Sequence, residues 1–402
     1  MPTCQAWTCS LPAALLLMAP FDLLASLGMD VYLPVVPRMP DSLATTPSTI
    51  QLTLSLYLLM LGCGQLIFGP LSDRVGRRPV LLGGALLFTL ASVALACTSS
   101  GTPFVALRVA QAMGGAAAVV ATFATVRDVY ATRPEGTVIY GMFGAMLAFV
   151  PAFGPVLGAV VDHGFGWRGI FVLLAILGSL AGMQALSRWP ETWTPTHGSI
   201  PAARLSSVLT SAPFWIYGLG QSAAMGAFFV YFSTAPRVLV NRNGLSSFSF
   251  SLVFATVALV MIVASGFSCF FVARWGGRGC LIRAMALLLA GALLLTLNQL
   301  LLFPSVWGFV TPMWVIAIGI STACAVAANG ALRPFGGVAG TATAIYSCVE
   351  SFMVSCAGTL AVVWLPADTA WPLIGFSSVS ALVTMGLARW ALQDADLGDG
   401  HP

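Results

Sequence analysis

Gly69-Pro70-Leu71-Ser72-Asp73-Arg74-Val75-Gly76-Arg77-Arg78-Pro79 sets a charged turn between two long apolar runs. Two hundred positions later, Arg274-Trp275-Gly276-Gly277-Arg278 repeats part of it. Arg74 matches Arg274, Gly76 matches Gly276 and Arg78 matches Arg278 at one constant offset, close to half of the 402-residue length. A repeat of that period predicts two related halves in the same orientation, an arrangement commoner in transporters than in receptors or membrane enzymes.

The residues around the two turns are those of a membrane protein. With 58% hydrophobic and only 7% charged residues and a mean hydropathy of +0.93, the chain cannot fold as a water-soluble domain. A hydrocarbon core about 30 Å thick needs roughly 20 apolar residues per helix. Twelve such runs are present: 11–36, 48–71, 79–98, 103–126, 137–161, 167–187, 213–236, 249–273, 280–302, 307–328, 339–364 and 371–392. The expected fold is therefore all-α, a polytopic membrane protein with twelve transmembrane helices in two six-helix halves. The halves cover 1–188 and 213–392, joined by a cytoplasmic linker over 189–212 and followed by a cytoplasmic tail over 393–402.

All 17 basic residues are arginine. With both termini cytoplasmic, twelve of them lie on the inner side, and Arg38, Arg168, Arg237 and Arg242 lie outside, with Arg108 inside a span. The excess of inner arginine selects this topology. The net charge of +4 needs no nucleic-acid partner. The first 37 residues carry no basic residue, so the opening run lacks the charged region of a cleavable signal peptide and is expected to remain as span 1. Nine cysteines, mostly within spans, predict neither a disulfide framework nor a metal site.

Ionisable residues inside the membrane carry the most information, because desolvating a charge costs several kcal/mol and such residues persist mainly where they face a cavity. Asp22, Asp30, Arg108 and Glu350 qualify. At 100° per residue, Asp22, Ala25, Ser26, Met29, Asp30 and Leu33 form one stripe on span 1 that can line an aqueous cavity. An acid there exchanges its proton as polar or cationic groups approach, which is the means of coupling transport to protons. Asp30, near Tyr32 and Pro34, also admits an interfacial reading. Glu350 shares a face of span 11 with Thr343, Tyr346 and Ser347, compatible with a structural or a transport role.

Span 4 places Arg108, Gln111, Ala112 and Gly115 on one face, a fixed positive charge above a smooth surface that another helix can approach. Two readings stay open: an Asp22–Arg108 proton switch, or a static buried ion pair. In span 5, Pro151, Gly154, Pro155 and Gly158 predict a bent, tightly packing helix facing the other half.

These motifs resemble the major facilitator superfamily, in particular its twelve-span drug:proton antiporters. Gly69 to Arg78 is similar to the signature loop between spans 2 and 3 of that superfamily. Arg108 to Gly115 resembles its proton-linked motif, though with Ala112 where glycine is common, and Gly154-Pro155 with Gly158 resembles the motif of exporters. The runs Pro20 to Pro34, Ile50 to Tyr57 and Ala121 to Tyr130 are similar to bacterial exporters of chloramphenicol and florfenicol. The resemblance implies that Gly69, Asp73, Arg74, Gly76, Arg77, Arg78 and Asp128 form a gating loop. In it Asp73 meets a helix end of the second half, and one of the arginines pairs with an acid such as Asp128.

The function expected from this resemblance is proton-coupled efflux of a small amphipathic drug by alternating access. The halves would rock about a cavity lined by Asp22, Ser26, Met29, Tyr57, Gln111, Phe149, Phe229, Tyr346 and Glu350, with Asp22, Asp30 and Arg108 coupling protons. The expected partners are drug, protons and membrane lipid in the bacterial inner membrane; the expected working unit is a monomer without cofactor. A broader multidrug or metabolite exporter shares every motif. A membrane enzyme would need a catalytic constellation, and His163, His197 and His401 all fall in loops or the tail.

Overall fold

The computed structural model describes residues 11–130, 135–193, 208–301 and 305–391. Every regular element among them is helical, as lipid demands of a chain whose backbone N–H and C=O groups must be satisfied internally. Among the described residues, eleven helices are long and apolar enough to cross a membrane. One of them, Phe149–Arg188, has 40 residues, about 60 Å at 1.5 Å per residue and twice the hydrocarbon thickness. It belongs to Glu135–Arg188, whose backbone leaves helical geometry at Gly166 (φ 69°, ψ 176°). That stretch makes two passes, 135–165 and 167–188, and the spans number twelve.

Spans 1 to 4 are Leu11–Asp30, Pro47–Val75, Arg77–Cys97 and Gly101–Tyr130, and spans 5 and 6 are the two passes above. Span 7 is Ala212–Pro236 and span 8 is Ser247–Gly266 continued by 268–275; span 9 is 277–301. Spans 10 to 12 are Val306–Leu332, Ala339–Trp364 and Trp371–Ala391. Starts are set by local chemistry. The side chains of Thr46, Ser211, Ser246 and Ser305 each accept a backbone N–H three residues on, capping spans 2, 7, 8 and 10. Span 1, expected to continue to residue 36, stops as an α-helix at Asp30 and proceeds as a 3-10 turn over Leu33–Arg38. The cause is Pro34, whose ring would clash with the carbonyl four residues back, that of Asp30.

The chain divides into two compact units, Met1–Gly198 and Ser199–Pro402. In the first, spans 3 and 4 approach through glycine: a Cβ at Gly84 would lie 2.7 Å from the Gly114 carbonyl oxygen, and one at Gly114 2.5 Å from the Phe88 nitrogen. The second unit repeats this in spans 9 and 10, where a Cβ at Gly291 or Gly319 would lie 2.9 Å from the carbonyl of Pro312 or Ala284. Leu86, Leu90 and Val93 of span 3 and Ile176, Leu180 and Met183 of span 6 stay exposed, as expected of side chains covered by lipid rather than protein.

Three turns share one construction. Gly76 (φ 108°, ψ 159°), Gly166 (φ 69°, ψ 176°) and Gly276 (φ 65°, ψ 174°) occupy a region of backbone space essentially confined to glycine. Two residues after each stands an arginine that donates to a carbonyl at the end of another helix in the same unit. Arg78 reaches Leu186 O (2.8 Å), Arg168 reaches Thr98 O (3.3 Å) and Arg278 reaches Arg389 O (3.3 Å). Helix C-termini leave carbonyls unpaired and carry partial negative charge, so a guanidinium is a fitting cap.

Of the expected linker, residues 194–207 lie outside the described residues, as does the whole expected tail, 393–402. The first linker residues are not a free polar connector. Trp189 is 2% exposed and stands edge-on to Phe21 with centroids 5.8 Å apart, so it belongs to the core of the first unit.

Candidate functional site

The three ionisable residues of spans 1 and 4 all lie inside the first unit: Asp22 is 3% exposed, Asp30 7% and Arg108 0%. Arg108 forms no ion pair with either aspartate. It donates to Gly28 O (2.8 Å) and to Gln111 Oε1 (2.6 Å), and its guanidinium lies over the rings of Tyr57 (4.3 Å) and Tyr32 (5.0 Å). The Gly28 carbonyl is free to accept because span 1 ends two residues later. Arg108 is thus the C-terminal cap of that helix, balanced by a carbonyl dipole and two π faces in place of a carboxylate. Its Nε and Nη2 have no acceptor, and Asp22 Oδ2 has no donor. The static Asp22–Arg108 pair that the sequence allowed is not what the structure contains.

The supports of this arginine are built as carefully. Gln111, also fully buried, donates from Nε2 to Ser92 Oγ (2.8 Å), which links span 4 to span 3. Tyr57 of span 2 donates to Ala25 O (2.8 Å), one turn before the carbonyl used by Arg108. Tyr57 reaches that far because residue 28 is glycine, where a Cβ would overlap the phenol oxygen. Tyr57 is 0% exposed, so it acts as a strut of the charge network and not as an open cavity wall. Ser26 and Met29, the other expected lining residues of span 1, are partly buried.

Span 5 keeps a helical backbone through Pro151 and Pro155, and its glycines press on span 1. A Cβ at Gly154 would lie 2.7 Å from Asp30 Cβ, and one at Gly158 would overlap the Val31 carbonyl oxygen. The face expected to meet the other half therefore packs against span 1 of its own half.

In the charged turn, Arg77 is the arginine that pairs: its Nε meets Asp128 Oδ2 at 2.8 Å, and its Nη1 meets Asp73 Oδ1 at 2.5 Å and Ser72 Oγ at 2.8 Å. Asp73 accepts from Arg77 one turn away. Ser72 in turn donates to Gly69 O (3.0 Å), and Arg74 is exposed. Sequence reasoning missed Glu191. Its carboxylate accepts the backbone N–H of Arg77 (2.9 Å) and Arg78 (3.1 Å), the first turn of span 3. A Cβ on Gly76 would lie 2.5 Å from it. Its only signal in the chain is an acid following a proline at the end of span 6.

A family model described as Major Facilitator Superfamily matches residues 21–359. The chain belongs to the major facilitator superfamily. It is 51% identical over 98% of its length, and 94% of the other, to a chloramphenicol resistance protein of Pseudomonas aeruginosa. It is 25% identical over 90% of its length, and 88% of the other, to the multidrug resistance protein MdtL of Klebsiella pneumoniae. The crystal structure of a D-xylose-proton symporter superposes with a TM-score of 0.75 at 16% identity, covering 93% of this chain and 97% of that one. That likeness is one of fold.

Membership of a transporter family gives the remaining expected residues a frame. In the second unit, Glu350 of span 11 accepts from Gln221 Nε2 of span 7 at 3.1 Å. Two turns along the same two helices, Phe229 packs on Gly358, where a Cβ would lie 2.7 Å from the ring. The equal step of eight residues on both helices means that spans 7 and 11 run side by side in the same direction. Phe229 is 3% exposed and Tyr346, edge-on to Phe214 at 6.1 Å, is 5% exposed. Phe149 is 47% exposed and lies 6.0 Å from Phe153. Within the second unit Phe229 and Tyr346 thus pack on different neighbours, Gly358 and Phe214.

Proposed function

We propose that this chain exports the phenicol antibiotics chloramphenicol and florfenicol from the cytoplasm across the bacterial inner membrane, in exchange for protons and by alternating access. The observation that carries the substrate is the 51% identity, over 98% of the chain, to a chloramphenicol resistance protein. Proton coupling is supported by the two aspartates of span 1, buried and without an ion-pair partner among the described residues. An unpaired charge removed from water costs several kcal/mol, and proton uptake relieves that cost. Asp22 keeps one oxygen without a donor while Arg108 keeps two nitrogens without an acceptor. A change of conformation that brought them together would release the proton.

The cycle follows from these groups. Drug entering from the cytoplasmic side favours the deprotonated acid; after release outside, a proton moving down its gradient neutralises Asp22 or Asp30 and permits the return. The arginine-rich turns favour both termini on the cytoplasmic side. In this reading the chain acts as a monomer and carries out no covalent chemistry.

The test is labelled-drug accumulation. Cells making the chain accumulate less chloramphenicol than control cells, and an uncoupler abolishes the difference; equal accumulation would reject the substrate. The likeness to MdtL favours a second reading, a broader multidrug exporter. Resistance to several unrelated compounds, in place of phenicols alone, would select it.

A further inference from the structure

The turn between spans 8 and 9 carries a stack of side chains that the export scheme does not use. The apolar run of span 8 ends at Ala273, so Arg274 and Trp275 stand at the edge of the hydrocarbon, the depth at which tryptophan is enriched in membrane proteins. Trp275 lies parallel to Phe271, with centroids 5.0 Å apart and planes 3° apart, and the Arg283 guanidinium of span 9 lies 4.7 Å from the centroid of the same ring. The array continues into the membrane. Phe271 meets Phe270 at 5.9 Å and Phe267 at 6.4 Å, and both of these rings are more than half exposed.

Arg283 has a built seat. Side chains of span 9 tilt toward its N-terminus, which is this turn, and Arg283 donates from Nη1 to Gly279 O (3.1 Å), one turn back in that direction. A Cβ at Gly279 would lie 3.0 Å from that nitrogen and 3.2 Å from Trp275 Cβ, so the missing side chain leaves the guanidinium its room. An arginine that served only to orient the chain in the membrane would need no such seat. Arg274 follows Phe270 and Phe271 by four and three residues, on the same face of span 8. Both arginines are exposed, and neither forms an ion pair among the described residues. The acids described in the second unit lie elsewhere. Asp368 is in the turn between spans 11 and 12, at the opposite ends of the helices, and Glu350 of span 11 is bonded to Gln221.

Two positive charges beside a strip of exposed aromatic surface fit an amphiphile of opposite charge. The planar fork of a guanidinium matches phosphate oxygens, and the phenylalanine rings offer an apolar bed for acyl chains. Charge also selects among lipids. In a phosphatidylcholine the phosphate is followed by a fixed ammonium, which the two arginines repel; a phosphatidylglycerol carries the same phosphate with no cation behind it.

We infer that Arg274 and Arg283, the latter seated by Trp275 and Gly279, bind the phosphate of an anionic phospholipid of the phosphatidylglycerol type, whose acyl chains lie along Phe267 and Phe270. The site is independent of the phenicol reading, since it needs neither drug nor proton.

The probe is phosphatidylglycerol against phosphatidylcholine of identical acyl chains, offered in equal amounts to the full purified chain in detergent. Native mass spectrometry reads the ratio of the two lipids retained. The wild-type chain retains phosphatidylglycerol in preference. Arg283→Gln and Arg274→Gln each lower the preference about fivefold, the worth of one arginine beside an anionic membrane surface. Arg188→Gln, which removes an exposed arginine at the end of span 6, leaves it unchanged. Trp275→Ala lowers it by unseating Arg283, and Trp275→Phe, which keeps a ring, restores most of it. Should a variant fail to fold, phenylglyoxal labelling of Arg283 in the wild-type chain, mapped by peptide mass, decides: phosphatidylglycerol slows it and phosphatidylcholine does not. Equal retention of the two lipids, equal protection by both, or as large a loss from Arg188→Gln as from Arg283→Gln would each overturn the inference. Deleting residues 393–402, which include Asp394, Asp396 and Asp399, leaves the preference unchanged; a severalfold rise on deletion would assign the arginines to the chain's own acids and overturn it too. Failure of chloramphenicol export in cells would remove the phenicol reading and leave the lipid result standing.

Discussion

Gly76 couples a strained backbone to a helix cap, and replacing it by alanine separates the two costs. At φ 108° and ψ 159° an alanine there is strained by about 1–3 kcal/mol. At Gly76 the new methyl would also lie 2.5 Å from Glu191 Oε2, displacing the carboxylate that caps Arg77 and Arg78. Loss of charged acceptors at a helix N-terminus adds about 1–2 kcal/mol. Gly276, at φ 65° and ψ 174°, shares the strain, but a Cβ there meets nothing within 4 Å. Gly276→Ala should therefore cost about 1–3 kcal/mol and Gly76→Ala about 2–5 kcal/mol. The excess should vanish once Glu191 is already removed. In a double-mutant cycle, Gly76→Ala with Glu191→Ala is less destabilising than the sum of the singles by about 1 kcal/mol. The assay is denaturant unfolding of the purified chain in detergent, followed by tryptophan fluorescence. Equal costs at the two glycines together with additivity within about 0.5 kcal/mol would refute the claim that Glu191 and Gly76 act on one helix end.

Three further outcomes follow from the first unit. Asp22→Asn leaves folded protein in the membrane but abolishes efflux against a gradient in the labelled-chloramphenicol assay; a variant that still concentrates drug outward removes Asp22 from the coupling scheme. Gly158→Ala forces spans 1 and 5 apart at the Val31 carbonyl, at a cost of about 1–3 kcal/mol, visible as a lower detergent melting temperature, and unchanged melting contradicts the packing described. Arg108→Lys keeps the charge but cannot cap Gly28, bond Gln111 and lie flat on two tyrosine rings at once. It should lose about 2 kcal/mol or more of stability and most of its efflux, whereas wild-type transport would show that charge alone suffices.

The spans and the duplicated turns were legible because both are local signals: runs of apolar residues, and a glycine–arginine spacing repeated at one offset. What the sequence hid was partnership at long range. Arg108 stood out as a charge within a span, yet its partner could not be read, because the choice depends on where span 1 ends. A helix continuing to residue 36 would pair the Gly28 carbonyl with its own backbone and leave Arg108 to seek an aspartate. Pro34 ends that helix at Asp30, and the carbonyl becomes available. Glu191 was hidden for a similar reason: it lies more than a hundred residues from the N–H groups it accepts, in a segment whose prolines read as linker. Gln221 carries no periodic signal of its own, and only its closeness to Glu350 gives it a role.

The arginine two residues after each glycine turn gives the repeat a mechanical meaning. In the first unit the arrangement is reciprocal: Arg78, entering span 3, caps the end of span 6, and Arg168, entering span 6, caps the end of span 3. Spans 3 and 6 are thereby tied to each other at both ends, while Arg77 with Asp128 joins span 3 to span 4 and Arg38 with Asp162 joins the turn after span 1 to span 5. The second unit retains one such tie, Arg278 on span 12; beside the start of span 12 at Trp371, the arginine is Arg242 of the turn after span 7, which donates to Asp368 O (3.4 Å), and among the described residues none ties that start to span 9. Surface ion pairs are worth about 0–1 kcal/mol each, too little to hold a fold that apolar packing already holds. Contacts of that size are, however, enough to set the relative stiffness of two ends of a helix pair. A half tied at both ends moves as one body, and a half tied at one end bends at the other. If transport proceeds by rocking of halves, the bending should therefore concentrate at the start of span 12. Hydrogen exchange in nanodiscs should be faster over the first turns of span 12 than over those of span 6, and the reverse order would show that these ties do not govern the motion.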